Sequence, residues 1–425
     1  RSQIDYSQFE LFHAFLATTF PRVFREMEVA TVNDYSLLLR WQGSDEALRP
    51  VLFTAHMDVV PVEPGTEQDW QHPAFAGVVA DDRVYGRGTL DDKVGVMSLL
   101  EAAEQLLAEG FRPSREIVLA FGHDEEISGQ DGAGSLARRM AELDLQFEWM
   151  VDEGGMIVDD NPLLPGEIMA LVNVAEKGYL TLTLVAEGDG GHSSNPPAIS
   201  TIGRLANALA VIEANPLPPR LVEPVAALFE ALAPHVGQPE RLIFANLWLT
   251  GGMVAGQMDD DRLTRPYVRT TTALTMFNAG IKENVVPQRA EAKVNFRLLP
   301  GDTPETVVSY IEELVDDPLV TIEYDQWDYV PPVADTRGSG FDVISRAVEA
   351  VYPEVIVVPS LLTATTDTRH YTQVADNLYR FHGVLVAPSQ AKSIHGTDEY
   401  IDVASYQKTI EVARQMMILG AGENR

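Results

Sequence analysis

A chain of 425 residues with 45% apolar and 22% charged side chains is too long for one ordinary core and too apolar for a disordered segment, so two domains are expected. Its formal net charge of −32, from 31 Lys and Arg against 63 Asp and Glu, argues against nucleic acid or anionic membrane surfaces as partners. With no cysteine in the chain, disulfides and thiolate metal sites are excluded, and any metal must be held by His, Asp and Glu.

In chain order, the first part alternates β-rich apolar runs with amphipathic helical stretches. The candidate strands are Val51 to Ala55, Glu116 to Phe121 and Phe147 to Val151; the helices between them are Val94 to Leu107 and Gly134 to Met140. That rhythm predicts an α/β fold with a mostly parallel sheet covered by helices. From Lys177 the pattern changes to a strand (Tyr179 to Glu187), a helix (Ser200 to Glu213), two strands (Thr271 to Asn278 and Arg289 to Leu298), a helix (Pro304 to Val315) and a strand (Leu319 to Tyr324). This β-α-β-β-α-β order is the ferredoxin-like unit. Residues 177–328 are therefore expected to form an inserted α+β domain, with residues 1–176 and 329–425 forming the first domain. The proline-containing segment Asn215 to Pro266 is expected to be an elaboration on the inserted domain. A helix near Phe341 to Ala350 and strands near Val355 to Val358 and Gly383 to Ala387 should complete the first sheet.

Several strand and turn exits carry side chains able to bind metal. The strand Val51 to Ala55 runs into His56, Met57 and Asp58, and the two-residue period of extended chain turns His56 and Asp58 to one side. A metal-bound histidine usually gives its other ring N–H to a carboxylate, which suits Asp58. An ordinary strand-end pair would look the same. Asp91, in the run Gly86-Arg-Gly-Thr-Leu-Asp-Asp-Lys93, can be a bridging ligand or simply a helix N-cap. Glu125 and Glu126 follow a buried strand, where open α/β sheets place their crevices, although a solvated acidic turn is the plain alternative. Asp152 and Glu153 close the next strand, and His395 lies in Ser393-Ile-His-Gly-Thr-Asp-Glu-Tyr400. Each is weak alone, but together they form a two-metal hydrolase pattern.

This ordered set resembles the dizinc family of aminoacylases, carboxypeptidase S and glutamate carboxypeptidases, and the resemblance covers nearly the whole chain. The matching pieces are His56-Met-Asp58-Val-Val-Pro, Gly86 to Lys93, Asp124-Glu125-Glu126, Val151-Asp152-Glu-Gly, Gly191-His192-Ser-Ser and His395-Gly-Thr-Asp-Glu-Tyr. It implies a catalytic domain and an inserted ferredoxin-like lid through which two chains form a homodimer. It also implies two Zn2+ per chain, with Co2+ or Mn2+ as alternatives. His56, Asp91 and Asp152 would hold one ion, and Asp91, Glu126 and His395 the other. Glu153 is a rival to Asp152. Glu125 would be the general base, Asp58 would orient His56, and a cis peptide would follow Asp91.

The resemblance further implies that His192 stabilises the oxyanion, often from the partner subunit, and that Asn284 and Arg297 contact the carboxylate end of the substrate. Arg369, in Thr366-Asp-Thr-Arg-His370, is a second carboxylate candidate, since a guanidinium forks onto a carboxylate as lysine cannot. Arg297 can instead pair with a structural acid. The expected substrate is a small peptide or N-acyl amino acid with a free carboxylate, and the branch that includes the carboxypeptidase S and N-fatty-acyl amino acid hydrolases fits best. A catalytically inactive relative that binds a peptide or metabolite is the alternative; an aminopeptidase would need an acidic pocket for the substrate's amine. No apolar run approaches the ~20 residues that span a bilayer. The chain opens at Arg1 rather than Met, so an export or anchor segment ahead of it is one expectation and a cytoplasmic location the other.

Overall fold

The strand Val51–His56 is buried along its whole length, as is Ile117–Gly122, and the continuous apolar character of these runs is what a sheet covered on both faces requires. They pair in parallel, and Val51–His56 pairs in parallel with Trp149–Asp152 on its other side. Leu378–Arg380 extends this parallel centre. Antiparallel margins complete a ten-stranded sheet, with Ser36–Trp41 and Glu28–Val32 at one side and Met169–Glu176 on the other. The structure is a computed structural model and describes residues 6–159, 161, 164–324 and 331–422. The expected second boundary at 328/329 lies outside the described residues.

Two apolar layers sandwich this sheet. On one face, Phe53, Leu119, Val151 and Trp149 pack with the helices Lys93–Glu109, Ser339–Val351 and Val403–Ala421. On the other, Leu52, Val118 and Met150 pack with Leu136 and Met140 of the helix Ala133–Glu142. Helix Lys93–Glu109 starts at Asp92, whose carboxylate accepts from the Gly95 N–H, and ends at Gly110 in the left-handed region at φ +79°. That is the ordinary Asp cap and glycine stop.

After Glu176 the chain leaves this sheet and enters a second one. Its strands Gly178–Glu187, Thr271–Ala279, Arg289–Leu298 and Val320–Tyr324 form an all-antiparallel sheet in spatial order second, third, first, fourth. Helices Thr201–Ala214 and Pro304–Val315 cover one face through Leu180, Leu182, Val294 and Phe296, the split βαβ arrangement. The other face, carrying Tyr179, Thr181 and Arg297, has no helix over it.

The sequence reading makes the segment 215–266 an elaboration on this second domain; its start does pack there through Leu217, but its helices do not. Its helices Glu223–Leu232, Glu240–Phe244 and Leu247–Asp260 bury Val225, Phe229, Phe244, Leu247 and Val254 against Met169, Ala175, Val358 and Leu361. They cover the strands Met169–Glu176 and Ile356–Leu362 of the first sheet, where an apolar surface would otherwise meet water. The buried Lys177 ties the segment to the start of the second sheet, its ammonium donating to the carbonyls of Pro266 and Arg269 at 2.9 and 2.7 Å. No helix among the described residues is long and apolar enough to cross a membrane.

Candidate metal centre

Three parallel strands end side by side and deliver the chemistry at their carboxyl ends, where such sheets place their crevices. His56 is the last residue of its strand; Glu125 and Glu126 follow Ile117–Gly122 in a short 3-10 turn; Glu153 directly follows Trp149–Asp152. Asp91 arrives from the loop before helix Lys93–Glu109. Because Asp92 rather than Asp91 caps that helix, the Asp91 carboxylate is left free to face the cluster. The peptide between Asp91 and Asp92 is cis.

Asp91 sits between two histidines. One of its oxygens lies 2.9 Å from His56 Nε2 and the other 2.9 Å from His395 Nε2. Glu153 lies 3.4 Å from the same nitrogen of His56, and Glu126 lies 3.4 Å from that of His395. The ligand-competent atoms thus gather as His56, Asp91 and Glu153 on one side and Asp91, Glu126 and His395 on the other. This donor set of imidazole and carboxylate suits two divalent cations sharing one carboxylate. An oxygen of Glu126 is buried with no hydrogen-bond partner, a costly state for an acceptor that a cation would relieve.

At the third ligand position the structure brings in Glu153, where the sequence reading favours Asp152. Asp152 is the last residue of its strand and is buried near Thr54, His382 and Asp92, with one carboxylate oxygen that has no hydrogen-bond partner. Adjacent residues of an extended chain face opposite ways. Glu153, one residue further and one methylene longer, reaches over the sheet end to His56.

Asp58 links two parts of the site. One of its oxygens is 3.3 Å from His56 Nδ1. Its two oxygens also accept the backbone N–H groups of Glu125 and Glu126 at 3.2 and 3.1 Å. One carboxylate therefore orients a histidine and fixes the turn that carries both glutamates.

Crowded carboxylates govern the local electrostatics. Burial, with Glu153 and Asp367 nearby, pushes Glu125 well above the usual carboxylate range. Burial and Asp91 push Glu153 up to about 8 and also raise Glu126. Burial opposes charge on His56, but Glu153, Asp58 and Asp91 outweigh it and hold His56 well above its ordinary value. His395 is raised to about 9, first by its hydrogen bond to Asp91. Acids that repel one another this strongly call for positive charge among them.

Further groups brace the centre without facing it. Glu399 is fully buried and accepts from Arg87 Nη1 at 2.6 Å and from the N–H groups of Gly88, Leu90 and Asp91 at 3.1, 2.8 and 3.2 Å. Arg87 also donates to the Gly396 carbonyl at 2.9 Å, joining the Asp91 loop to the His395 loop. Asp92 accepts from the His56 N–H at 3.2 Å and pairs with His382 Nδ1 at 2.9 Å. Sequence reasoning gave no role to Arg87, Glu399, Asp92 or His382. The first three lie inside motifs already noticed, while His382 follows a short apolar strand with nothing to mark it.

A cavity of about 1540 Å³ opens from the centre and separates the two sheets. Glu125, Glu126 and His395 line one side of it; Tyr179, Thr181 and Arg297 from the uncovered sheet face line the other. Arg369 lines it as well. Arg297 lies over the Tyr179 ring at 4.7 Å and has no ion-pair partner among the described residues. The buried acid Glu176 is near enough to favour its charge, but it pairs with Arg380 instead. His192 and Asn284 are not among the cavity's lining residues. They sit together on exposed backbone, with His192 paired to Val285 and its Nδ1 2.7 Å from Ser194 Oγ, and Asn284 accepting from the Ser193 N–H at 3.2 Å.

Comparison with known proteins places this arrangement among metallopeptidases. The family model described as peptidase family M20/M25/M40 matches residues 52–418. The chain is 37% identical over 408 residues to a probable carboxypeptidase S-like protein of Dictyostelium discoideum, covering 95% of this chain and 78% of that protein. It is 38% identical over 410 residues to the human N-fatty-acyl-amino acid synthase/hydrolase PM20D1, covering 94% and 80%. An M20 family metallo-carboxypeptidase from Sulfolobus solfataricus shares the fold with a TM-score of 0.70 at 18% identity, covering 96% and 94% of the two chains.

Proposed function

Because this chain belongs to peptidase family M20/M25/M40, a family of metal-dependent hydrolases, we propose that it cleaves the amide bond preceding a C-terminal amino acid, as a carboxypeptidase or N-acyl amino acid amidohydrolase. The observation that carries this reading is Asp91, shared between His56 and His395 with Glu153 and Glu126 beside them, next to a cavity that Glu126 and His395 line together with Arg297 and Arg369. His56, Asp91 and Glu153 would hold one zinc, and Asp91, Glu126 and His395 the second. When bound, the pair supplies a water of lowered pKa and a polarised scissile carbonyl.

The chain's own residues do the rest. Glu125 is half-buried at the cavity wall beside the ligand cluster, where a carboxylate can take a proton from water and return it to the departing amine. Asp58 keeps Glu125 and His56 in mutual register by holding both. Arg297 and Arg369 offer fixed positive charge for the substrate carboxylate in a chain of net charge −32, a bidentate match that lysine lacks. His192, on a short exposed strand, and Asn284, in the exposed turn beside it, are suited to completing the site of a partner subunit in a homodimer.

The test is a panel of N-acyl amino acids and N-blocked dipeptides assayed with added zinc, using the parent and Glu125→Gln. The parent should hydrolyse members with a free carboxylate. Glu125→Gln should lose 10²–10⁴-fold in kcat, on the order general acid–base catalysis contributes, while keeping its metal. An unaffected Glu125→Gln, or equal rates on the corresponding amides, would remove this reading. Metal-free protein that binds substrate without turnover would favour the inactive relative.

A further inference from the structure

The turn Glu125–Ile127 is short, and Glu125 depends on it for its placement. Asp58 holds its front through the N–H groups of Glu125 and Glu126. Its back is the left-handed pair Ser128 at φ +94° and Gly129 at φ +64°, whose N–H groups donate to the carbonyls of Glu125 and Asp124 at 2.9 and 2.7 Å. A second grip on this end comes from the segment Asp367–His370, some 240 residues away along the chain.

The grip has two parts. The Ser128 carbonyl accepts from His370 Nε2 and Arg369 Nη2, both at 2.9 Å. The shorter contact of His370 Nε2 to Ser128, compared with 3.4 Å to Arg369 Nε, makes that nitrogen the N–H donor of a neutral ring; burial lowers the histidine's pKa in the same sense. Beneath the turn, the buried Asp367 carboxyl fills a slot floored by two glycines. A Cβ on Gly129 would come within 1.9 Å of one Asp367 oxygen, and a Cβ on Gly122 within 3.1 Å of the other. The first oxygen has no hydrogen-bond partner, so its place is set by shape.

We infer that His370 and Asp367 are positioning residues for Glu125, clamping the Ser128–Gly129 end of its turn while Asp58 clamps the other. This inference rests on Glu125 being the general base. A base must stand within hydrogen-bond reach of the proton it takes, and a misplacement of about 1 Å costs about 10²-fold in rate. Loosening the clamp should therefore lower kcat and leave the metal in place, because four of the five ligands hang on other elements and Glu126, on the same turn, stays tied at its N–H to Asp58.

The experiment uses the full zinc-loaded protein and a substrate turned over by the parent. His370→Leu, which removes one of the two donors and the ring that packs the turn, should lose up to about 10²-fold in kcat with KM within about threefold of the parent and two metals per chain by elemental analysis. His370→Gln, whose amide can donate to the Ser128 carbonyl, should recover most of that loss. Asp367→Asn keeps the slot filled and should lose clearly less kcat than Asp367→Ala, which should fall with His370→Leu. A purely structural role would lower the melting temperature and leave kcat per folded molecule unchanged, which would overturn the inference. So would a His370→Leu protein that loses metal, or a His370→Gln no better than His370→Leu. If His370→Leu does not fold, the Asp367 pair decides alone. Should Glu125→Gln be fully active, the functional reading fails; should it be dead while His370→Leu and Asp367→Ala match the parent, only the clamp fails.

Discussion

Glu399→Ala tests whether the Asp91 loop is held by one buried carboxylate. Glu399 and Arg87 are both almost wholly buried and 2.6 Å apart, and three loop N–H groups point at the same carboxylate. Removing it strands a buried guanidinium, which costs about 3–5 kcal/mol. The three N–H groups could each add about 1–3 kcal/mol, but water entering the vacated space offsets much of that, so about 3–5 kcal/mol is the expected total. The surface pair Arg83–Asp402, at 3.0 Å with both side chains 41% exposed, provides the control, since such pairs contribute about 1 kcal/mol or less. Urea unfolding of chelator-treated protein measures both variants, and elemental analysis after zinc reloading measures what the loop does for Asp91. Glu399→Ala should lose several kcal/mol and bind fewer than two metals; Asp402→Ala should lose about 1 kcal/mol or less and bind two. A Glu399→Ala protein as stable as Asp402→Ala and fully metallated would refute the reasoning.

Glu153→Ala should bind one metal fewer than the parent, while Asp152→Asn should keep both, because only Glu153 reaches His56; elemental analysis of the two variants decides which is the ligand. Arg297→Ala should raise KM for free-carboxylate substrates by about tenfold or more with little change for their amides, given that charged hydrogen bonds are worth roughly 1.5–3 kcal/mol; parallel kinetics on each acid and its amide check this. In metal-free protein, burial alone would lower His382, but Asp92 raises it to about 9. A raised histidine contributes stability that is complete below about 6.5 and is lost as pH rises through about 9. Urea midpoints across that window should fall for the parent, and the fall should be smaller in His382→Gln.

What could be read from the sequence followed from regular patterns. The apolar runs ending in His56 and ahead of Glu125 are buried strands with polar exits, and the second domain's alternation produced its strand order. The helix cap at Asp92 and the free Asp91 were harder to separate, because two adjacent aspartates offer the same chemistry until the backbone decides which one turns inward. Asp152 and Glu153 pose the same problem at a strand end, where one residue of register and one methylene of length decide which side chain reaches His56. The pairing of Asp92 with His382, and the grip of His370 on Ser128, join residues far apart in the chain and leave no local periodicity. Segment 215–266 was misplaced because its helices show an apolar face without showing what that face covers; the strands it shields, Met169–Glu176 and Ile356–Leu362, lie on either side of the inserted domain.

The central claim is that Asp91 bridges two metal ions. Anomalous diffraction at the zinc edge, from crystals of the zinc-loaded protein, measures it directly. The account predicts two peaks flanking the Asp91 carboxylate, one beside His56 and Glu153 and the other beside His395 and Glu126. A single peak, or peaks remote from Asp91, would contradict it.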